Sequence, residues 1–427
     1  MLHLLQTLLL PMTSGRGDES RTDREKSLLT KLHMKILYHH RIRSKDGQYV
    51  HLEELTQALI DLGHEIILVG PAAIEREEFG ADAGMVAFLK RSLPQKLYEF
   101  LELGYSLWAY RRLRAAIRRH KPDCIYERCN LFQVAGVWAK RLYGLPMLLE
   151  VNAPLLEERQ KYSGLSSVSL ARWSQNYVWK APDYLLPVTD VLAGYLRRAG
   201  VSDSRIVVIP NGVNLARFEK AIDRHEAKRR LSLEGCLVLG FTGFVREWHS
   251  LERLIDFIAR SSDAARVHLL LVGDGPARKT LEDYALALGV EASMTVTGVV
   301  PRDEVARYIS AFDVALQPAV VPYASPLKLF EYMALGCAIV APATANLCEI
   351  LVDNHNALLF ESENPDSFSQ VLERVCFDPA LRERIGQNAA KTIIERGLTW
   401  DNNAKRVVSL FESLGVGNND VKKTGTS

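Results

Sequence analysis

The sequence predicts an α/β protein built from two doubly wound domains, each a parallel sheet with helices on both faces. Three observations carry this. The chain is 427 residues long, enough for two or three domains. Short strands that are apolar throughout alternate with helical segments, the pattern of parallel sheets buried on both faces. The alternation runs once up to about residue 209 and starts afresh near Cys236, with turn residues Pro210-Asn211-Gly212 between the two series.

In the first series the expected strands are 35–39, 66–69, 124–126, 147–151, 184–188 and 206–209. Helices are expected at 48–62, 131–143, 166–179 and 190–199; the first carries Val50, Leu52, Leu55, Leu59 and Leu62 near one stripe and stops at Gly63. Residues 213–230 are more charged and read as a hinge followed by a first helix. The second series has strands at 237–241, 267–272, 294–296, 314–316 and 338–340, separated by helices at 249–260, 276–288, 302–310 and 326–335. The expected organisation is a disordered extension at 1–33, domains at 34–212 and 213–399, a last helix at 400–414 and a flexible tail at 415–427.

Composition narrows the function. Hydrophobic residues are 48% and charged residues 24%, which excludes disordered, collagen-like and disulfide-scaffold classes. Lys and Arg number 53 against 51 Asp and Glu, a net charge of +2, so no nucleic-acid partner is expected. Six cysteines form no C-x-x-C pair; Cys124, Cys236, Cys337 and Cys376 lie in apolar runs and read as core thiols of a reducing compartment. Residues 1–10 lack a positive start and a small-residue cleavage site, and no run has the length of a membrane span, so a cytoplasmic location is expected.

Two facing α/β domains bind ligands beyond the carboxyl ends of their strands, so the strand-to-helix loops are where chemistry belongs. The richest is 323–336. Ser325 suits an N-cap and Pro326 the first helical position, leaving free N–H groups for an anion. Lys328 in the first turn opposes the helix dipole unless it faces a bound anion, and Glu331 can accept from sugar hydroxyls. An ordinary amphipathic helix with a solvated Lys and Glu fits the same letters. In the loop 240–249, Gly240 and Gly243 permit close backbone approach and Arg246 offers a diphosphate clamp, or is a surface arginine beside a buried Trp248. Gly273-Asp-Gly-Pro276 reads as a strand-to-helix turn with Pro276 at the first helical position. There is no D-x-D, no G-x-x-x-x-G-K-[ST], no G-x-S-x-G and no H-E-x-x-H.

These spans resemble retaining glycosyltransferases of family four, which have the GT-B fold. The resemblance runs from about Met34 to Phe411. Leu59-Ile-Asp-Leu-Gly-His-Glu-Ile66 is similar to the family's L-x-x-x-G-H-E-V segment, and Ile209-Pro-Asn-Gly-Val-Asn-Leu-Ala-Arg-Phe218 to its I-P-N-G-V-x-x-x-x-F segment. Residues 271–300 resemble L-V-G-x-G-P and the following V-x-x-x-G, and 325–342 resemble the donor motif S-P-x-K-x-F-E-Y-M-A-x-G.

The resemblance implies transfer of a sugar from a nucleotide-sugar donor to a glycan or lipid-linked acceptor, with retention and without a metal, in polysaccharide or glycolipid biosynthesis. It makes Glu331 the ribose-binding second glutamate of an E-x7-E motif whose first glutamate is replaced by Tyr323. Ser325, Pro326 and Leu327 would present N–H groups to the sugar and diphosphate, Gly243 and Gly47 would approach the phosphates, and Val299 would lie in the loop that reads the base. The family's basic pair is altered, with Phe244 near the arginine and Trp248 or His249 near the lysine, so Arg246 and Lys328 are expected to supply the charge. Acceptor-side candidates are Glu150, Asn152 and Arg128 at strand ends. Asparagine cannot act as a base, and no general base is assigned. Arg111, Arg112, Arg114, Arg118, Arg119, His120 and Lys121 follow an apolar-aromatic stretch and suit either an anionic membrane surface or a solvated helix face. Two rivals share the reading: a sugar-nucleotide 2-epimerase, and a catalytically silent nucleotide-binding partner.

Overall fold

The computed structural model describes residues 33–42, 47–71, 93–162, 164–261 and 266–417. The segment 1–32 and the end of the chain from 418, on which parts of the sequence reading fall, lie outside them.

The first sheet has five parallel strands in the order β2-β1-β3-β4-β5, with β1 at Lys35–His39, β2 at Glu65–Val69, β3 at Cys124–Arg128, β4 at Met147–Val151 and β5 at Tyr184–Pro187. The second has six, in the order β11-β10-β9-β6-β7-β8, with β6 at Leu237–Thr242, β7 at Val267–Val272, β8 at Met294–Val296, β9 at Val314–Leu316, β10 at Ala338–Pro342 and β11 at Leu358–Phe360. Both are doubly wound α/β sheets, and central strands such as β4 and β7 are buried along their whole length, as their unbroken apolar sequences require.

Two expectations are corrected, and the structure adds elements that the sequence reading did not name. Residues 206–209 do not form a strand. Val207 N–H donates to the Leu185 carbonyl at 2.9 Å and Ile209 N–H to the Pro187 carbonyl at 3.0 Å, but Pro187 has no N–H to return a bond, so only an isolated bridge from Leu185 to Ile206 remains. The helix expected at 166–179 forms at Val168–Lys180, and a further short helix, Leu155–Tyr162, which the sequence reading did not name, precedes it. β11 and the helices Pro365–Phe377 and Pro379–Glu395, absent from the sequence reading, close the second domain; Phe368, Leu372 and Ile385 complete its core. Cys236 is only half-buried, whereas Cys124, Cys337 and Cys376 are buried thiols.

The helix Trp400–Ser413 crosses back to the first domain. Trp400, Ala404, Val407 and Phe411 pack with Leu52, Leu55 and Leu59 of the helix Gly47–Asp61. The two chain crossings lie side by side: Val213 N–H donates to Leu398 O at 3.1 Å and Trp400 N–H to Val213 O at 3.2 Å. Among the described residues no helix is long and apolar enough to cross a membrane.

Candidate active site

The carboxyl ends of both sheets face one cleft, and the helix Leu327–Ala334 begins there. Its N-cap is Pro326, with no side-chain cap bond; Leu329 N–H donates to the Pro326 carbonyl at 3.2 Å, and the N–H groups of Leu327 and Lys328 stay available. Ser325 is not the cap expected from its type. Its hydroxyl accepts from the Asn211 N–H at 3.2 Å instead.

Lys328 turns inward from the first turn. Its ammonium lies 3.5 Å from the centre of the Phe241 ring, and a Cβ on Gly243 would sit 3.4 Å from Nζ. Burial pulls its pKa from 10.5 down to about 7, against a modest opposing pull from Glu331. His249, which packs edge-on against Phe241, is driven down to about 2 by burial and by the Lys328 charge, so it is a neutral ring at this site. Gly47, the first residue of its helix, faces the same place: a Cβ there would touch Leu327 at 3.7 Å. Gly47, Gly243, Leu327 and Lys328 are thus brought together across the two domains.

Glu331 lines an open pocket between the domains with Glu54, Arg217, Arg302 and Trp400. Burial raises its pKa, opposed by Arg302 and Lys328. Beside it an ion network joins the domains. Glu54, 2% exposed, accepts from Arg302 at 2.5 Å and from Asn214 at 2.9 Å, and pairs with Arg217, whose Nε lies 2.6 Å away. Glu53 pairs with Arg302, and Arg217 reaches Asp303 at 3.0 Å. Nothing local in the chain links residues so far apart, so this network was not legible before the structure.

The remaining candidates lie farther out. Arg246 is exposed, its guanidinium over the Phe244 ring, and Trp248 beside it is 47% exposed rather than buried. Val299 is 60% exposed at the loop after β8. The turn 273–276 is a spacer: its helix, Arg278–Ala287, starts from an N-cap at Ala277, so Pro276 is not its first residue. Tyr323 leans on the first domain, with its carbonyl accepting from the Thr189 hydroxyl at 3.0 Å. Its phenol meets the Glu158 carboxyl; burial, then Glu158, holds the phenol far above its ordinary range, and burial raises Glu158.

Glu150 is a buried hub. It accepts from Tyr126 OH at 2.9 Å and Tyr38 OH at 3.1 Å, lies 2.9 Å from His51 Nε2, and binds Arg128 and Asn152. Burial raises its pKa, but His51 and Arg128 outweigh this and hold it below the usual carboxylate range. Arg128 is itself buried, leaving Asn152 as the half-buried member of the three. His39 is equally enclosed, Nδ1 at 2.5 Å from Glu127. The basic run 111–121 ends the helix Gln95–His120, whose outer face carries exposed Leu97, Phe100, Leu101, Leu107 and Trp108 ahead of the arginines.

The second domain matches the model of Glycosyl transferases group 1 over residues 223–392, and the first matches that of Glycosyltransferase Family 4 over 45–217. The chain is a glycosyltransferase of the GT-B type. A 2-deoxystreptamine glucosyltransferase of Streptomyces kanamyceticus is 25% identical over 352 residues, 78% of this chain and 90% of the relative. An uncharacterized glycosyltransferase of Methanocaldococcus jannaschii is 28% identical over 215 residues; the match spans 49% of this transferase and about half, 54%, of that one. In fold, this transferase resembles Anabaena HepE in complex with UDP and glucose, with a TM-score of 0.68 at 18% identity, covering 89% of this chain and 100% of that one.

Proposed function

We propose that the transferase moves a hexosyl group from a nucleotide-sugar to a glycan or lipid-linked acceptor, with retention and without a metal, in cell-surface polysaccharide or glycolipid biosynthesis. The observation that carries this is Lys328: a desolvated ammonium beside an uncapped helix N-terminus and two glycines, lacking only an anion to compensate it. A nucleoside diphosphate supplies that anion. Glu331, one turn on and half-buried, faces the ribose hydroxyls. In the transfer the bond from the anomeric carbon to the leaving phosphate breaks as the acceptor oxygen attacks on the same face. The acceptor proton passes to the leaving phosphate. Lys328 and the helix N–H groups stabilise the charge that gathers there, which is the role a metal plays elsewhere. A glucosyltransferase relative and a fold neighbour holding UDP and glucose support a UDP-linked hexose as the first donor to try.

Titration calorimetry with UDP, GDP, ADP, TDP and CDP, with magnesium and with EDTA, tests the reading. One nucleotide is expected to bind with the same affinity in both. Silence of all five, or binding that vanishes in EDTA, refutes it.

The outer face of the Gln95–His120 helix supports a peripheral site on an anionic membrane, apolar residues entering the interface and arginines meeting head groups. Flotation with phosphatidylglycerol vesicles, but not phosphatidylcholine vesicles, is the expected result. Trp108→Glu with Phe100→Glu should abolish it; retained flotation of that variant removes this face as the contact.

A further inference from the structure

A chain of buried polar contacts runs from the first sheet to the donor helix. Glu150, at the end of β4, lies 2.9 Å from His51 Nε2. His51 Nδ1 lies 2.8 Å from Asn211 Oδ1. Asn211 donates from Nδ2 to the Ser325 carbonyl at 2.5 Å, and its backbone N–H donates to the Ser325 hydroxyl at 3.2 Å. The geometry orients the Asn211 amide and the His51 ring, whereas His51 Nε2 meets Glu150 in a close polar contact without a directed hydrogen bond. The Ser325 carbonyl only accepts, so the amide nitrogen of Asn211 must face it and the amide oxygen must face His51, whose Nδ1 therefore donates. Asn403 pins the same turn by donating to the Pro210 carbonyl at 2.8 Å. His51, Glu150 and Asn211 are 6%, 1% and 7% exposed, so none of these contacts competes freely with water.

We infer that this Glu150–His51–Asn211–Ser325 relay positions the donor-phosphate site: the first domain holds the entry of the Leu327–Ala334 helix through Asn211, which is a positioning residue for the transfer. Ser325 is tied at both its hydroxyl and its carbonyl, and Pro326 follows with a restricted backbone, so the relay fixes where the first free N–H groups of the helix point. Glu150 thereby acquires a role its burial denies it as a direct acceptor contact. The inference rests on the proposed reading that this helix end receives a nucleoside diphosphate.

The test uses Asn211→Asp, close in size to the native residue, which sets a carboxylate oxygen against the Ser325 carbonyl, along with His51→Gln and the double variant. Hydrogen exchange at residues 323–329 is expected to speed up at least tenfold in each single variant, with exchange in the rest of the second sheet unchanged. UDP affinity is expected to fall roughly tenfold. The double variant should match the singles in both readouts, because one broken link already opens the relay, whereas independent structural roles would add. Unchanged exchange at 323–329, or additive effects, overturns the relay. If wild type ignores UDP while exchange still responds non-additively, the relay stands and the choice of UDP fails. Should Asn211→Asp not fold, Ser325→Ala, which removes the acceptor for the Asn211 N–H, takes its place in the same cycle.

Discussion

Lys328 holds the most informative charge in the molecule. Its pKa is 10.5 in the unfolded chain and about 7 in the folded one, so between those values the folded state binds fewer protons. The ligand-free protein should therefore gain stability as pH rises from about 7 towards 10.5, and lose that gain as pH falls back. A bound diphosphate reverses the cost of burial and returns the proton. Binding at pH 8.5 should then take up a proton, seen as a calorimetric enthalpy that varies with the buffer's ionisation enthalpy, and Lys328→Met should show no such dependence. Lys328→Ala should weaken nucleoside diphosphate binding by about 1.5–3 kcal/mol, the range for a charge-assisted contact, measured by the same titration. Both Lys328 and Glu331 were legible in the sequence because helix-start chemistry and motif spacing are local. Asn211 was legible only as a turn residue, and His51 not at all, since their partners lie 114 and 160 residues away.

At the scale of elements, the loops after β6 and β7 are stacked backbone to backbone. Gly273 has φ +142°, and a Cβ there would stand 2.1 Å from the Gly243 carbonyl oxygen. Its neighbour Gly275 is as tight, 2.2 Å from the Val245 carbonyl oxygen. These glycines serve loop packing and not a phosphate cradle, which explains why the third glycine of a dinucleotide fingerprint is missing. Gly273→Ala should push the Gly243 loop off Lys328, weakening UDP binding by tenfold or more and lowering the melting temperature by several degrees; calorimetry and thermal unfolding read the two effects. Strands and helices with strong apolar patterns were readable to within a few residues. The failures have local causes. A proline removed the ladder bond that would have made 206–209 a strand. The helices after Phe360 alternate charged and apolar residues without the strand partners that made the earlier rhythm plain.

At the scale of the whole molecule, the domains are clamped by charge as well as by the chain. Glu54 is nearly inaccessible and is ion-paired with two arginines that are about 30% exposed, Arg217 and Arg302. Glu54→Gln should cost about 1–3 kcal/mol, less than a fully enclosed pair because water screens the arginines, and should enlarge the radius of gyration of the ligand-free protein in X-ray scattering. An unchanged radius would show that the other contacts between the domains, the Trp400 packing and the Thr189–Tyr323 and Asn211–Ser325 bonds among them, hold the pair together without it. The two-domain plan was readable from the repeated alternation, but the return of the last helix was not: its apolar stripe says that it docks, not where. That return alters how the gene can be read. Residues 34–212 and 400–413 make one body, so the second domain is an insertion within the first, and its two points of entry touch: the Cβ that Gly212 lacks would lie 2.7 Å from the Thr399 carbonyl carbon. A polypeptide spliced from 212 directly to 400 would therefore keep every strand of the first sheet and the helix that seals it, and the excised segment would leave as a parenthesis leaves a sentence.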